Sequence, residues 1–404
     1  MNAPPLNPAL FHLDADHLWV MHCAEGPVPR AALRAVRAFM HKELRPWEMG
    51  FEADFVGLPA AVRAEAALLL GGRPDDLSLT PTTSSGLVAV AQGFSWREGD
   101  EILAPLGEFP SNVWPWLALR ARGVDFREVP LWGGHTSGIE AWSSAPPPPG
   151  VDPEARLLEA LGPKTRILAL SWVRFQDGLK LDLRRLSGAC RERGIHLVVD
   201  GIQALGTVPA DLEGLSALAS GGYKGLLAPE GLGLLWTDEA FRQRLAPSGS
   251  WLSVEQATDF ARPSTDFHRA WLTDGLALEP GGPNLLHASA LLESLRLLNA
   301  VGVPAIGAHV VQLQRRLLAA LRGSCWSTEA ERLEGLLAMD RLGPILAFHH
   351  EGQGPERLNL LLRAGYRQGI YASVREGYLR VAFHGFHTEG DADRVAGWLS
   401  GRAS

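Results

Sequence analysis

The chain has 404 residues, of which 38 are Lys or Arg and 45 are Asp or Glu, so its formal charge is −7. This length predicts two or three domains, and mild acidity without long basic runs gives no electrostatic footprint for nucleic acid or an anionic membrane surface. No apolar run approaches the length of about 18 residues that spans a bilayer. The first residues also lack the basic start and apolar run of a signal peptide. We therefore expect a cytoplasmic protein that binds neither nucleic acid nor membrane.

From residue 77 onward, short apolar runs alternate with amphipathic stretches. Seven apolar runs predict strands: 77–81, 101–105, 125–130, 166–173, 195–200, 215–220 and 231–236. Four amphipathic stretches between the earlier runs predict helices: 84–94, 111–122, 153–161 and 182–193. Nearly continuous apolar strands that alternate with helices indicate a parallel sheet covered on both faces. The last two strands follow each other without a full helix, so we expect a mixed sheet at that edge.

The pattern changes after residue 283. The earlier run 143–150 contains four prolines and predicts a long surface loop, because proline disfavours helices and central strands. Beyond 283, leucine-rich helices at 285–300 and 303–322 precede shorter elements and a last helix from about 389. We therefore divide the chain into three parts: an N-terminal segment, 1–30, that packs with the second domain, a large domain, 31–283, and a small α+β domain, 284–404.

The cysteines and histidines give little sign of metal or disulfide chemistry. Cys23, Cys190 and Cys325 are an odd number, lie far apart and form no CxxC pair, which disfavours a disulfide framework and a cysteine-based zinc site. Neither of the two close histidine pairs has the carboxylate or cysteine spacing of a metal site. These pairs are His349 with His350 and His384 with His387. We expect no bound metal.

The segments VVDGIQALG, 198–206, and SGGYKGLLAPEGLGLLW, 220–236, carry the clearest chemical signal. Asp200 ends a predicted strand, so its carboxylate falls at the carboxyl edge of the sheet, where open α/β sheets bind ligands. Lys224 stands in a glycine-flanked turn between two apolar strands. Enclosure there would desolvate the amine, lower its pKa and make it a nucleophile. A plain surface lysine in a turn is the alternative.

The stretch TPTTSSGLVAVAQGF, 80–94, follows the first predicted strand and opens a helix. The hydroxyls of Thr83, Ser84 and Ser85, together with backbone N–H groups and the helix dipole, favour a phosphate. An ordinary Ser/Thr helix cap is the commoner meaning of such a string. In company with the Lys224 turn we favour the phosphate, with Ser84 and Ser85 as the main contacts.

Two further segments complete a set of four: EFPSNVWPW, 108–116, and GIYASVREGYLRVAFHGFHTEGDADR, 369–394. This set, in this order, resembles pyridoxal-phosphate (PLP) enzymes of the aminotransferase class V family, which includes cysteine desulfurases, selenocysteine lyases, kynureninase and isopenicillin N epimerase. The resemblance runs from about residue 20 to the end. It implies the α/β fold of type I PLP-transferases, with a mostly parallel seven-stranded sheet in the large domain and a smaller α+β C-terminal domain.

Carried over residue by residue, the resemblance implies contacts to the cofactor ring. Lys224 would form a Schiff base with PLP. Asp200 would pair with the pyridinium nitrogen and make the ring an electron sink. Gln203 would hydrogen-bond the phenolic oxygen, and Phe109 would lie flat over the ring.

The resemblance also implies contacts to the phosphate and the substrate. Tyr223 would reach the phosphate beside the hydroxyls of 83–85. Where relatives often extend a hydroxyl to the phosphate of the partner subunit, this chain offers only backbone N–H groups of Gly281 or Gly282. Arg380 would bind the substrate α-carboxylate through its planar fork, with Arg375 as runner-up. A surface salt bridge is the alternative for either arginine.

Three departures from the desulfurase pattern bear on the reaction. Phe109 and Pro110 replace the histidine that stacks on the cofactor in desulfurases. Trp172 replaces the asparagine of their Ser-Asn-Val and would alter the pocket. The stretch before Arg380 contains no cysteine, whereas desulfurases carry their catalytic cysteine there.

These features together predict a homodimeric PLP enzyme that acts at the α-carbon of a small amino acid, as an aminotransferase or a lyase. Lys224, once released, would act as general base on the α-proton. Desulfurase or selenocysteine-lyase activity and epimerisation are the alternatives. A second alternative is a cofactor-binding protein with little catalysis, against which Lys224, Asp200 and Arg380 argue.

Overall fold

The computed structural model describes residues 3–349 and 355–401. Twelve strands lie within these ranges: β1 Leu18–Trp19, β2 Leu77–Thr80, β3 Glu101–Pro105, β4 Asp125–Val129, β5 Thr165–Ser171, β6 His196–Asp200, β7 Ala217–Gly221, β8 Gly233–Thr237, β9 Ile345–His349, β10 Ile370–Tyr371, β11 Ser373–Arg375 and β12 Tyr378–Ala382. The same ranges hold twelve α-helices: α1 Arg30–Glu43, α2 Leu58–Leu70, α3 Thr83–Gly93, α4 Trp114–Leu117, α5 Pro153–Ala160, α6 Leu183–Glu192, α7 Glu239–Arg242, α8 Leu285–Val301, α9 Val303–Ala320, α10 Ser327–Ala338, α11 Pro355–Arg367 and α12 Glu389–Leu399.

The main sheet has seven strands in the order β2-β8-β7-β6-β5-β3-β4. β3, β4, β5, β6 and β7 are mutually parallel, whereas β8 runs antiparallel to both of its neighbours, β7 and β2. β5, β6 and β7 are almost entirely buried, as expected for strands covered on both faces. The predicted fold class, the seven strands and the mixed edge are confirmed.

The helix boundaries follow local capping chemistry. α3 begins at Thr83 because the Thr82 side chain accepts the Ser85 N–H. Asp182 caps α6 in the same way, since its side chain accepts the Arg185 N–H. The single helix predicted over 111–122 is wrong. That stretch forms α4 between two 3₁₀ turns, Pro110–Asn112 and Ala118–Arg122, because proline supplies no N–H to a continuous helix.

Two small sheets contain the late strands of the chain, and the early segment joins one of them through β1. β1 pairs in parallel with β10, and β12 lies between β11 and β9 in an antiparallel sheet. The Val20 carbonyl accepts the Ala382 N–H at 2.8 Å and so joins the two groups. α8 packs against α1 and α2, whereas α9 packs against α12. The division of the chain at residue 283 stays a prediction.

α8 and α9 are the longest helices of the described ranges, and both bury leucines in the core. Within those ranges no single helix is long and apolar enough to cross a membrane. α8 and α9 meet that criterion only as a pair, with a bend of 76° at the break between them.

Candidate active site

A cavity of about 360 Å³ opens at the carboxyl edge of the main sheet. Six residues singled out from the sequence line it: Thr83, Ser84, Phe109, Asp200, Tyr223 and Lys224. Asp200 ends β6, Thr83 begins α3, and Lys224 lies in the connection between β7 and β8. They meet because parallel strands end at one edge of the sheet and the turns that follow gather above it.

Lys224 is enclosed, with an exposed fraction of 7 %. Its Nζ lies 5.7 Å from the ring centroids of both Phe109 and Tyr223. Burial lowers the pKa of the amine, and the negative charge of Asp200 opposes that shift. A buried amine with a lowered pKa is a better nucleophile and base near neutral pH than a surface lysine.

The turn that carries Lys224 is held by backbone contacts from distant segments. The Gly26 N–H donates to the Tyr223 carbonyl at 2.7 Å. A Cβ at Gly26 would lie 2.2 Å from the Lys224 carbonyl oxygen, so only glycine fits there. On the other side, His384 Nε2 lies 2.9 Å from the Gly225 carbonyl oxygen. His384 Nδ1 accepts the Gly385 N–H, so Nε2 carries the proton and donates it to Gly225.

Asp200 is a buried carboxylate poised for a cationic partner. Its Oδ1 accepts the Ile202 N–H at 3.0 Å. Burial raises the pKa of this carboxyl to about 6, partly offset by the Ile202 N–H and by attraction to Lys224. Within the described ranges, no arginine forms an ion pair with Asp200 at contact distance. A ring nitrogen that carries a proton would supply the missing charge, which is the contact a pyridinium ring makes.

Hydroxyl groups also line this cavity. The Thr83 Oγ1 accepts the Gly221 N–H at 2.7 Å, and the Ser84 Oγ donates to the Ser111 Oγ at 2.7 Å. These groups stand at the first turn of α3, an 11-residue helix. Hydroxyls and free N–H groups at a helix N-terminus suit a phosphate. The residues present therefore fit PLP along its length, from ring nitrogen to phosphate.

Three predicted cofactor residues do not line this cavity. Ser85 lines a neighbouring cavity of about 530 Å³ with Val88 and Pro280. Gly282 lines another of about 570 Å³, which shares Gly231 with the Lys224 cavity. The third is Gln203, whose Nε2 donates to the Cys23 carbonyl at 2.9 Å and keeps one N–H for a second acceptor.

Arg380 does not line the Lys224 cavity, and Phe175 links it to Phe109. Its exposed fraction is 3 %. Its Nη1 donates to the Phe175 carbonyl at 2.6 Å, and its Nε and Nη2 donate to the Ser373 Oγ at 3.1 and 2.9 Å. The Phe175 and Phe109 rings lie 5.1 Å apart. Arg375, the runner-up, is exposed on β11.

Trp172 does not alter this cavity, contrary to the sequence-based expectation. It lines a separate cavity of about 490 Å³ with Lys180 and Arg341. Successive side chains point to opposite faces of an extended chain. Ser171 faces the site side and bonds Glu108, so Trp172 faces away from it.

Sequence reasoning missed several residues of the site. Ile202, Ser111 and Glu230 line the cavity. Ile202 lies in the segment 198–206 beside Gln203, and Ser111 lies in the segment 108–116 close to Phe109. Their nearness to predicted cofactor residues was the sequence signal that could have identified them. No group of three His, Cys, Asp or Glu in the described ranges could hold a metal ion. His350 lies outside those ranges.

Fold and site together define a PLP-dependent enzyme of fold type I. A family model for aminotransferase class V matches residues 50–370. The chain therefore belongs to the aminotransferase class V family, and its cofactor is PLP.

Relatives across most of the chain have different named activities. It is 26 % identical over 405 residues to a probable cysteine desulfurase of Methanothermobacter thermautotrophicus, covering 92 % of this chain and 91 % of that protein. It is 29 % identical over 386 residues to isopenicillin N epimerase of Streptomyces clavuligerus, with coverage of 92 % and 91 %. A solved complex of the cystine C–S lyase C-DES with cysteine persulfide superimposes with a TM-score of 0.79 at 22 % identity, covering 96 % of this chain and 98 % of that one.

Proposed function

We propose that this protein acts at the α-carbon of a small amino acid, as a lyase or an aminotransferase, through a covalent bond between Lys224 and PLP. The observation that carries the proposal is the meeting of Lys224, Asp200 and Phe109 around one cavity of about 360 Å³. When bound, PLP withdraws electrons from the α-carbon of an attached amino acid. The chain supplies orientation, charge and proton transfer.

Each site residue has a distinct task in this proposal. Asp200 holds the proton on the ring nitrogen, since its buried carboxylate gains from a cationic partner. Phe109 and Ile202 enclose the ring between apolar surfaces. Lys224 Nζ, once displaced by the substrate amine, takes the proton from the α-carbon. Its lowered pKa leaves a larger share of the amine unprotonated and able to act as a base.

Arg380 binds the substrate carboxylate in this proposal. Its guanidinium is fixed by Ser373 and by the Phe175 carbonyl. Three of its five N–H groups can serve those contacts, so two remain for a carboxylate. A fork held in place loses little entropy on binding, which favours arginine over lysine here.

We further propose a homodimer in which Gly282 offers its backbone N–H to the phosphate of the partner subunit. The cavity that contains Gly282 borders the Lys224 cavity at Gly231. Val88 and Pro280 line the neighbouring cavity of about 530 Å³. Val88 is an apolar side chain with an exposed fraction of 42 %, which a partner subunit would cover. A two-fold dimer is also the commonest assembly among soluble homo-oligomers. Sedimentation velocity would test the homodimer. We also propose that the reaction takes place in the cytoplasm.

Elimination from a sulfur amino acid is the first reaction to test. The named relatives include a probable cysteine desulfurase and a cystine C–S lyase. No thiol lines the Lys224 cavity within the described ranges. Burial raises the pKa of Cys190 to about 12, and Cys325 is exposed beyond α9. Cys23 is buried and close enough to Lys224 to act on its charge, but it does not line the cavity. A lyase that releases sulfur without a protein persulfide fits this arrangement better than a desulfurase.

Reconstitution with PLP tests the proposal directly. Purified wild type should gain visible absorbance from the covalently held cofactor, and the spectrum should change when the right amino acid is added. Lys224→Ala should lose that absorbance, and Lys164→Ala, which changes an exposed lysine, should keep it. A wild type without the absorbance, or a Lys224→Ala protein that retains it, would refute the proposal.

A substrate panel separates the reactions. If the protein is a lyase, cysteine should yield sulfide, pyruvate and ammonia, and cystine should yield cysteine persulfide, pyruvate and ammonia. A 2-oxo acid formed at the cost of a second 2-oxo acid would indicate transamination. Change in optical activity without net product would favour the epimerase alternative, whose relative is 29 % identical. Bound PLP with no turnover of any amino acid would support the cofactor-binding alternative.

A further inference from the structure

Glu108 is a fully buried carboxylate that the proposed reaction does not use. Its Oε1 accepts the Ser171 N–H at 2.9 Å. Its Oε2 accepts the Ser171 hydroxyl and the Asn112 Nδ2, the latter at 3.3 Å. All three contacts are donors, so the ionised form satisfies each of them. Buried carboxylates are costly, and a retained one calls for a role.

One end of this cluster fixes Phe109. The Asn112 N–H donates to the Phe109 carbonyl at 2.7 Å, while the Asn112 side chain reaches back to Glu108. The Asn112 Oδ1 in turn accepts the indole N–H of Trp116, a buried residue, at 3.0 Å. Glu108 therefore closes the tight turn from which the Phe109 ring projects over the cavity.

The other end of the cluster reaches the strand that holds Asp200. Ser171 ends β5 and pairs with Asp200, which ends β6. The next residue, Trp172, donates its N–H to the Asp200 carbonyl at 2.9 Å. Glu108 thus spans the ring-stacking turn and the strand ends that carry the nitrogen-binding carboxylate.

Taking the proposed function as given, we propose that Glu108 is a positioning residue, which locks the Phe109 ring and the Asp200 carboxylate into one unit around the PLP ring. It touches neither cofactor nor substrate. Its effect is to fix the distance between the Phe109 ring and the Asp200 carboxylate. The PLP ring must fit both groups at the same time.

Electrostatics support the same assignment. Burial raises the pKa of Glu108, whereas the Arg174 charge and the donors on Ser171 and Asn112 favour its ionised form. The charge of Asp200 opposes ionisation of Glu108. The negative charge of Glu108 raises the pKa of Asp200 further than burial alone does. A cationic ring nitrogen held by Asp200 would therefore also be attracted by the charge of Glu108.

The test is Glu108→Gln in the full chain, with Glu128→Gln as matched control. The amide would keep the shape, remove the charge and turn an NH₂ group toward the Ser171 and Asn112 donors. Glu128 is exposed and accepts the N–H of Gly107, the residue before Glu108, at 3.2 Å. The readouts are the PLP dissociation constant, the visible circular dichroism per bound PLP, and the thermal unfolding of the PLP-free protein.

We expect Glu108→Gln to weaken PLP binding about tenfold, as for a broken buried hydrogen-bond set, and to reduce the visible circular dichroism of the PLP that remains bound. Ser171→Ala, which keeps the backbone N–H, should lower PLP affinity and visible circular dichroism in the same direction but to a smaller extent. This variant provides the test if Glu108→Gln does not fold. Glu128→Gln should match wild type.

Two results would overturn the assignment. A folded Glu108→Gln protein with wild-type dichroism per bound PLP would show a merely structural role, even with a lower unfolding temperature. Equal effects in Glu108→Gln and Glu128→Gln would show that PLP binding responds to the loss of any negative charge, and not to the loss of the Glu108 contacts. In both cases the wild type still binds PLP, so the proposed function stands. A wild type that binds no PLP overturns both proposals.

Discussion

Replacing Asp200 with asparagine should stabilise the PLP-free protein while it weakens PLP binding. Burial raises the pKa of Asp200 from 3.8 to about 6, so the folded state binds this proton more tightly than the unfolded state does. The cost of the ionised group is therefore absent at acidic pH, grows between about pH 4 and pH 6, and is complete above that window. At about 1.4 kcal/mol for each pH unit, it reaches about 3 kcal/mol at pH 7.5 and about 1 kcal/mol at pH 4.5.

Urea unfolding of the PLP-free proteins at those two pH values measures this cost. Asparagine keeps the Oδ1 that accepts the Ile202 N–H, so the variant loses charge but not that contact. Asp211→Asn is the control of opposite sign, because the hydrogen bond from Arg184 lowers the pKa of Asp211. With PLP present, Asp200→Asn should bind about a hundredfold more weakly, since a buried charge pair is lost.

A stabilisation by Asp200→Asn that is equal at both pH values would refute the reasoning, since the effect would then owe nothing to ionisation. A destabilisation at pH 7.5 would refute it as well. Unchanged PLP affinity would show that Asp200 does not bind the ring nitrogen. The effect of Asp200 ionisation on the stability of the PLP-free protein would still stand.

Three further changes probe the rest of the site. Arg380→Lys should raise KM for the amino acid about tenfold or more with a smaller effect on kcat, whereas Arg375→Lys should leave both unchanged in steady-state assays. Phe109→Leu keeps apolar volume but not the flat face, and should weaken PLP binding about tenfold in absorbance titrations. Ser84→Ala should weaken PLP binding by a similar factor, and Ser85→Ala, in the neighbouring cavity, should do so much less.

Each of these has a contrary outcome. Equal KM values in the two arginine variants would place the carboxylate site elsewhere. Wild-type affinity in Phe109→Leu would mean that the ring packs in the core and not on the cofactor. A larger loss in Ser85→Ala than in Ser84→Ala would assign the phosphate to the cavity that holds Ser85.

The sheet and the centre of the site were predictable because their signals are local. Each strand is a short apolar run, and Asp200 ends one of them, so its position at the sheet edge follows from the alternation of strands and helices. Lys224 was recognisable by its glycine-flanked turn.

The remainder depends on contacts between distant residues. Glu108 meets Ser171 across 63 positions of sequence, and nothing near either residue announces that pairing. Trp172 was misplaced because a motif gives the position of a residue but not the face toward which its side chain points. The stretch 111–122 has helical periodicity, yet Pro110 just before it and Pro115 within it break it into short turns.

The contacts between the segment of β1 and the late strands have a consequence for folding during synthesis. His22 and Ala382, 360 positions apart, lie in hydrogen-bond contact, and Gly26 of the same early segment supports the turn of Lys224. A ribosome makes residues 18–26 long before residues 370–382. The early segment therefore gains its partner strand only after residue 382 has been made, so stable cofactor loading at the Lys224 turn follows synthesis of that strand.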